Sequence, residues 1–157
     1  MLATASYPEH PGRIELVSEL GLGVGVGHMT TSRLLARRST AHRGQQLLRA
    51  GKDDDAAREL AAAADAGGDD PLAGDARYFQ AVALTKAGRK TEAEHALVAF
   101  LDRWPHALRR GRAAVMLGRL IAERGDSATA RTWFESASRD PDPSVTTTAR
   151  TELTKLK

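Results

Sequence analysis

Residues 83–100, ALTKAGRKTEAEHALVAF, decide the fold of this chain. Apolar residues recur at helical spacing before Gly88, and a second apolar series of the same kind follows it. A glycine between two such series supplies the positive φ that closes a helix at its C-terminal end. The stretch therefore predicts two helices joined by a tight turn at Gly88.

The same pattern surrounds two other glycines, in LLRAGKDDDAARELAAA at residues 47–63 and in LIAERGDSATARTWFESA at residues 120–137. The three turn glycines, Gly51, Gly88 and Gly125, are 37 residues apart. Four other positions, here called columns, hold the same kind of residue in each copy. A small residue stands seven residues before the glycine (Gly44, Ala81, Gly118), and Leu or Ile stands four before it (Leu47, Leu84, Ile121). An alanine stands five residues after the glycine (Ala56, Ala93, Ala130), and a large apolar residue stands nine after it (Leu60, Leu97, Phe134). Five columns that agree in three copies indicate an internal repeat.

Each repeat is predicted to be a pair of helices, A and B, followed by a connection. Asp53, Thr91 and Ser127 follow the turn glycines and are expected to cap helix B. Helix B is expected to run toward a proline, which ends it. Small residues in two of the columns would let the paired helices approach closely, with Leu or Phe filling the space between neighbouring pairs. The prolines expected to end the three B helices are Pro71, Pro105 and Pro141.

These columns resemble the tetratricopeptide repeat. The resemblance covers residues 38 to 141 and implies an all-α solenoid of three helix pairs, with a C-terminal capping helix over residues 144–157. The longer period and the phrase AFLDRWPHA, residues 99–107, resemble the envelope-associated bacterial subgroup of YbgF-type and BamD-type proteins. The repeat domain is accordingly predicted to span residues 33–157.

Residues 1–32 fall outside the repeat pattern and are predicted to form an irregular, flexible segment. Glycines alternate with other residues in GLGVGVG, residues 21–27, but the G-x-G-x-x-G order of a phosphate-binding loop is absent. An irregular or β-edge segment is the interpretation that remains. The start of the chain lacks the basic and then apolar order of a secretion signal, so a cytoplasmic location is expected for the chain as written. An envelope association is expected if it is a piece of a larger protein.

The composition narrows the function classes. The chain has 157 residues, a net charge of +3 and no cysteine, which excludes disulfides and thiolate chemistry. The five histidines are too far apart for a metal-binding pair on a helix, and Asp53 to Asp55 point in different directions around a helix. No apolar run is long enough for a membrane span. We therefore expect no metal, no cofactor and no enzymatic activity.

The arginines suggest a binding surface. In the tetratricopeptide family helix A lines a concave groove, and the resemblance places five cations and two acids, Asp75 and Glu123, at groove positions. Arginine and lysine suit carboxylates of a peptide, and Tyr78 is expected to add an apolar contact. The predicted partner-binding residues are Arg38, Arg49, Tyr78, Lys86, Arg112 and Arg119.

The leading hypothesis is a non-catalytic interaction or scaffold module that binds an acidic or carboxylate-bearing peptide segment of a protein. Alternatives are a helical nucleic-acid-binding protein that uses its arginine runs, and the sensor or interaction part of an envelope-linked regulator. Nucleic acid is the weaker alternative because aromatic side chains that could stack on bases are scarce. Self-association through the terminal repeats is compatible with so short a solenoid. The charge runs could also be no more than solvated helix faces.

Overall fold

The structure, a computed structural model, describes residues 23–156, without the side chains of residues 23–31, 33 and 34. This part of the chain contains seven α-helices and no strand. The three repeats lie together in one compact unit that begins at Leu35. The helices are α1 (Gly23–Arg49), α2 (Asp53–Gly67), α3 (Pro71–Lys86), α4 (Lys90–Arg103), α5 (Arg110–Glu123), α6 (Ser127–Ala137) and α7 (Pro143–Lys155).

Consecutive helices pack against each other, which confirms the α-solenoid. Helix α3 contacts α2 and α4, and α5 contacts α4 and α6. Helix α7 lies against both α5 and α6, in the place that helix A of a further repeat would take. After Pro143, its exposed residues are Ser, Thr, Arg and Lys, so its outer face is polar, like that of a capping repeat.

The repeat columns form the core. The largest fully buried side chains are Leu60, Leu97 and Phe134 from one column, together with Phe100 and Leu117. A small residue faces this column on helix A because there is no room for more. A Cβ atom built on Gly118 would lie 2.6 Å from Cε1 of Phe134, and one on Gly44 would lie 2.6 Å from Cγ of Leu60. Helices A and B therefore pack at closest approach where the sequence places small residues.

The turn glycines are confirmed as helix-closing residues with positive φ. Gly51, Gly88 and Gly125 have φ values of 72°, 76° and 95°. In each turn the backbone N–H after the glycine returns to a carbonyl of helix A, as in the 2.9 Å bond from Arg89 N to Leu84 O. This is the bond that closes a Schellman turn.

The capping prediction for helix B was wrong. Lys52 and Arg89 occupy the N-cap positions of α2 and α4 without a side-chain bond, and Asp53 is already the first residue of α2. Only α6 has a capped start among the three, and there the side chain of Asp126 accepts from the backbone N–H of Thr129 at 3.0 Å. Helices α2 and α6 begin one residue earlier than the prediction assumed, and α4 begins two residues earlier, so Asp53, Thr91 and Ser127 lie inside the first turn of the helix.

The N-terminal segment also differs from expectation. Helix α1 begins at Gly23, so residues 23–32 are helical rather than irregular or β-edge. No proline occurs between Pro11 and Pro71, and once a helix has formed, each further residue adds one hydrogen bond at little cost. Residues 1–22 lie outside the described residues, and the domain division at residue 32 stays a prediction. None of the described helices is long and apolar enough to cross a membrane.

Candidate functional site

The predicted partner-binding residues lie on the helix A elements of the solenoid. Arg38 and Arg49 belong to α1, Tyr78 and Lys86 to α3, and Arg112 and Arg119 to α5. Of these six residues, the structure brings Tyr78, Arg112 and Arg119 around one hollow. This hollow has a volume of about 270 Å³, and its lining residues come from α3, α5 and α7: Tyr78, Arg112, Val115, Met116, Arg119, Ser144, Val145 and Thr148.

Arg119 is engaged by the capping helix. Its Nη2 and Nε atoms donate to the same oxygen, Oε1 of Glu152, at 2.7 and 3.0 Å. The Glu152 side chain is only 13% exposed, and Lys155 adds a third donor at 3.2 Å. Burial raises the pKa of Glu152, but the hydrogen bonds from Arg119 and Lys155 outweigh it and hold that pKa below its usual value. The docked position of α7 therefore favours the ionised form of the Glu152 carboxylate.

Arg112 is engaged at the other end of α7. Its Nη2 atom lies 3.2 Å from Oδ2 of Asp142. The second oxygen of Asp142 caps α7, accepting from the backbone N–H and the hydroxyl of Ser144 at 2.9 and 2.7 Å. The bonds from Ser144, and then the one from Arg112, lower the pKa of Asp142. The two arginines of the third repeat thus hold carboxylates of the chain itself.

The remaining cations of the surface have no such partner. Among residues 35–156 no carboxylate lies within 4 Å of the side-chain nitrogens of Arg38, Arg49 or Lys86, all of which are exposed. Arg49 and Lys86 occupy equivalent positions, two residues before a turn glycine. The two acids expected at groove positions are both engaged, since Asp75 pairs with Arg109 at 3.0 Å and Glu123 with Lys90 at 2.8 Å. The surface at the first two repeats therefore keeps a positive charge.

Tyr78 is buried rather than exposed, with 8% of its surface accessible. Its ring packs against Phe79 and Phe100, with centroid distances of 5.4 and 5.9 Å. The guanidinium of Arg109 lies 5.5 Å from the ring centroid of Tyr78 and 4.7 Å from that of Phe79. Burial raises the pKa of Tyr78, although Arg109 and Arg112 act in the opposite direction. Tyr78 contributes a wall of the hollow and is no platform on which a base could stack.

Arg109 is a residue that the sequence reasoning missed. It joins two repeats, because it pairs with Asp75 and covers two aromatic rings of α3. Several ion pairs join residues about one repeat apart, as Arg103–Asp69 and Arg89–Asp54 also do. Opposite charges separated by one repeat length were therefore the signal that could have identified it.

No group of three or more His, Asp or Glu that could hold a metal ion occurs in the described part of the chain. The family model of the tetratricopeptide repeat matches residues 43–107 and 85–144. The chain belongs to the tetratricopeptide repeat family. Its turn glycines and its small and large columns carry that membership in the structure. No curated protein matches the chain.

Tetratricopeptide repeats generally mediate protein–protein interactions, and the family is typically non-catalytic. A protein partner is accordingly the class of ligand that the family membership supports. The helix A surface of this chain carries the hollow and the exposed cations described above.

Proposed function

We propose that this tetratricopeptide repeat protein is a non-catalytic interaction module that binds an acidic, extended segment of a partner protein along α1, α3 and α5. The observation that carries the proposal is the pair of exposed cations at equivalent positions of successive repeats, Arg49 and Lys86. No carboxylate of residues 35–156 lies within 4 Å of either side chain, whereas the acids of the same surface are engaged elsewhere. A regularly spaced positive surface suits an extended chain that carries carboxylates.

The second part of the binding surface is the hollow between α3, α5 and α7. Its floor contains Val115 and Met116, and its rim contains Arg112 and Arg119. A volume of about 270 Å³ accommodates one or two side chains of a bound segment and no more. Because both rim arginines already hold carboxylates of α7, we expect most of the electrostatic affinity to come from the first two repeats.

The test is fluorescence anisotropy with three labelled probes: an acidic peptide of Glu and Leu, the same peptide with Gln for Glu, and a single-stranded DNA of equal charge. The double variant Arg49→Glu/Lys86→Glu should bind the acidic peptide at least about tenfold more weakly, since a hydrogen bond to a charged group contributes about 1.5–3 kcal/mol. The matched control is Arg131→Glu/Arg139→Glu, which makes the same charge change at exposed positions on and after α6.

The control variant should retain the wild-type affinity. Equal losses in both variants would show that only net charge matters and would reject a binding surface on helix A. Tight binding of the DNA probe in preference to the acidic peptide would favour the nucleic-acid alternative. Discrimination between the Glu and Gln peptides is the result that the proposal requires.

A further inference from the structure

A hydrophobic side chain protrudes from the loop between α4 and α5. Leu108 is completely exposed, at 102% relative accessibility, whereas the other exposed large apolar residues of the described part, Leu35 and Val98, are 60% and 41% exposed. The loop around it is hydrogen-bonded, with Ala107 N donating to Trp104 O at 3.1 Å and Arg110 N donating to Ala107 O at 3.0 Å. Leu108 is therefore held out by a defined turn.

A hollow of about 410 Å³ lies directly beside this side chain. Its apolar walls are formed mainly by Pro71, Trp104, Pro105 and Ala107, and Leu108 forms part of its edge. The Trp104 ring is fixed, because it stacks on Phe100 with a centroid distance of 6.1 Å and its Nε1 donates to Asp69 O at 3.3 Å. An apolar projection and an apolar hollow thus share one small patch, here called the loop patch: residues 71, 75 and 103–109.

The charges around the loop patch are balanced. Arg103 pairs with Asp69 at 2.7 Å and Arg109 pairs with Asp75 at 3.0 Å, and all four side chains are at least one-third exposed. A partner of one charge sign would meet as much repulsion as attraction on such a surface. A second copy of the chain carries the same balanced set of charges, so two copies would meet without an excess of like charge.

We propose that two copies of this chain associate through the loop patch, with Leu108 of each copy inserted in the hollow of the other. A two-fold interface uses the same patch on both subunits, so it requires a surface that is complementary to itself. A projection beside a hollow, surrounded by paired opposite charges, meets that requirement. The site lies away from the unpaired cations of helix A, so the inference goes beyond the proposed function and does not depend on it.

The size of the loop patch indicates how tightly the two copies should associate. It comprises one loop and the nearby ends of two helices, so the interface falls at the low end of the sizes seen in specific complexes, below about 1,200 Å² in total. We therefore expect a dimer that forms and dissociates with concentration. Sedimentation velocity of the full chain from about 1 µM to about 1 mM should show a continuous shift from monomer to dimer.

The variant Leu108→Glu should remove this shift, because it places a charge in an apolar hollow while costing the monomer no buried contact. The matched control, Val98→Glu, makes the same change at the exposed residue of α4 and should dimerise as the wild type does. A wild-type chain that stays monomeric over the whole range would overturn the proposal. So would a dimer that Leu108→Glu leaves unchanged, since the contact would then lie on another surface.

Cross-linking provides a second readout that does not depend on affinity alone. The chain has no cysteine, so Leu108→Cys introduces a single thiol. A short bis-maleimide should join two copies of Leu108→Cys efficiently, because the two loops lie side by side across the two-fold axis. Val98→Cys should give little covalent dimer at the same concentration. Equal yields from the two variants would mean random collision and would contradict the proposed interface.

Discussion

Adding one methyl group at Gly118 should destabilise the solenoid, although it replaces glycine in the middle of a helix. The Cβ of Gly118→Ala would lie 2.6, 2.9 and 3.0 Å from three ring carbons of Phe134, whose side chain is 1% exposed. Overpacking of this kind costs about 1–3 kcal/mol, whereas alanine contributes about 0.5–1 kcal/mol over glycine through helix propensity. The difference is a loss of about 0–2.5 kcal/mol in the free energy of unfolding, centred near 1 kcal/mol.

The second repeat suggests how to relieve the clash. There the equivalent positions are Ala81 and Leu97, both fully buried, so an alanine is combined with a smaller side chain than phenylalanine. Phe134→Leu alone should also destabilise, because it leaves a gap over the glycine. The double variant Gly118→Ala/Phe134→Leu reproduces the pair of the second repeat. Its loss should be smaller than the sum of the single losses by about 0.5–3 kcal/mol, the range of coupling between residues in contact.

Urea unfolding followed by far-UV circular dichroism measures all four members of this cycle. A stabilised Gly118→Ala would show that helix propensity dominates and that α5 and α6 adjust without cost. Strictly additive losses would show that residues 118 and 134 do not limit each other. Either result would refute the argument that the small column sets the distance between helices A and B.

Three further outcomes are expected from urea unfolding. Ala93→Leu adds bulk at a fully buried position of α4 and should lower the free energy of unfolding by about 1–3 kcal/mol; an unchanged value would contradict the repeat alignment. The added methyl group of Gly88→Ala meets no atom within 4 Å, but the residue must keep φ at +76°. Backbone strain alone should therefore lower the free energy of unfolding by about 1–2 kcal/mol. An unchanged free energy would mean that the turn has another conformation. The pKa of Glu152 lies below its usual 4.5, so its ion pair stabilises the chain above that pH and is lost as the pH falls through the lowered value. Glu152→Gln should flatten this acid dependence, and an identical dependence in both proteins would exclude the pair as its source.

The helical framework could be predicted from the sequence because the residues that determine each helix pair lie within the same repeat. A glycine with positive φ, a small residue and a large apolar residue recur at fixed spacing, and each acts on neighbours within the same helix pair. Periodicity of this kind survives in a single sequence. The caps were harder to predict because a shift of one or two residues, as at Lys52 and Arg89, changes which side chain faces the free N–H groups.

The binding surface was only partly predictable, for a different physical reason. The family resemblance places Arg112 and Arg119 on helix A, but their ion pairs depend on where α7 docks, and α7 lies outside the repeat pattern. Tyr78 is likewise buried by contacts from other elements, including Arg109 on the following connection. Such tertiary contacts decide which of the expected cations remain available. Arg38, Arg49 and Lys86 are those that residues 35–156 leave without a carboxylate partner.

The most direct test of the account is a chemical-shift titration of the isotopically labelled chain with the acidic Glu and Leu peptide. We expect the largest amide shifts to cluster on the exposed face of α1 and α3, around Arg49 and Lys86, and to extend to the hollow beside Val115. We also expect added salt to reduce them, because the contacts are charged. Shifts concentrated on α2, α4 and α6, or absent at saturating peptide, would contradict a binding surface on helix A.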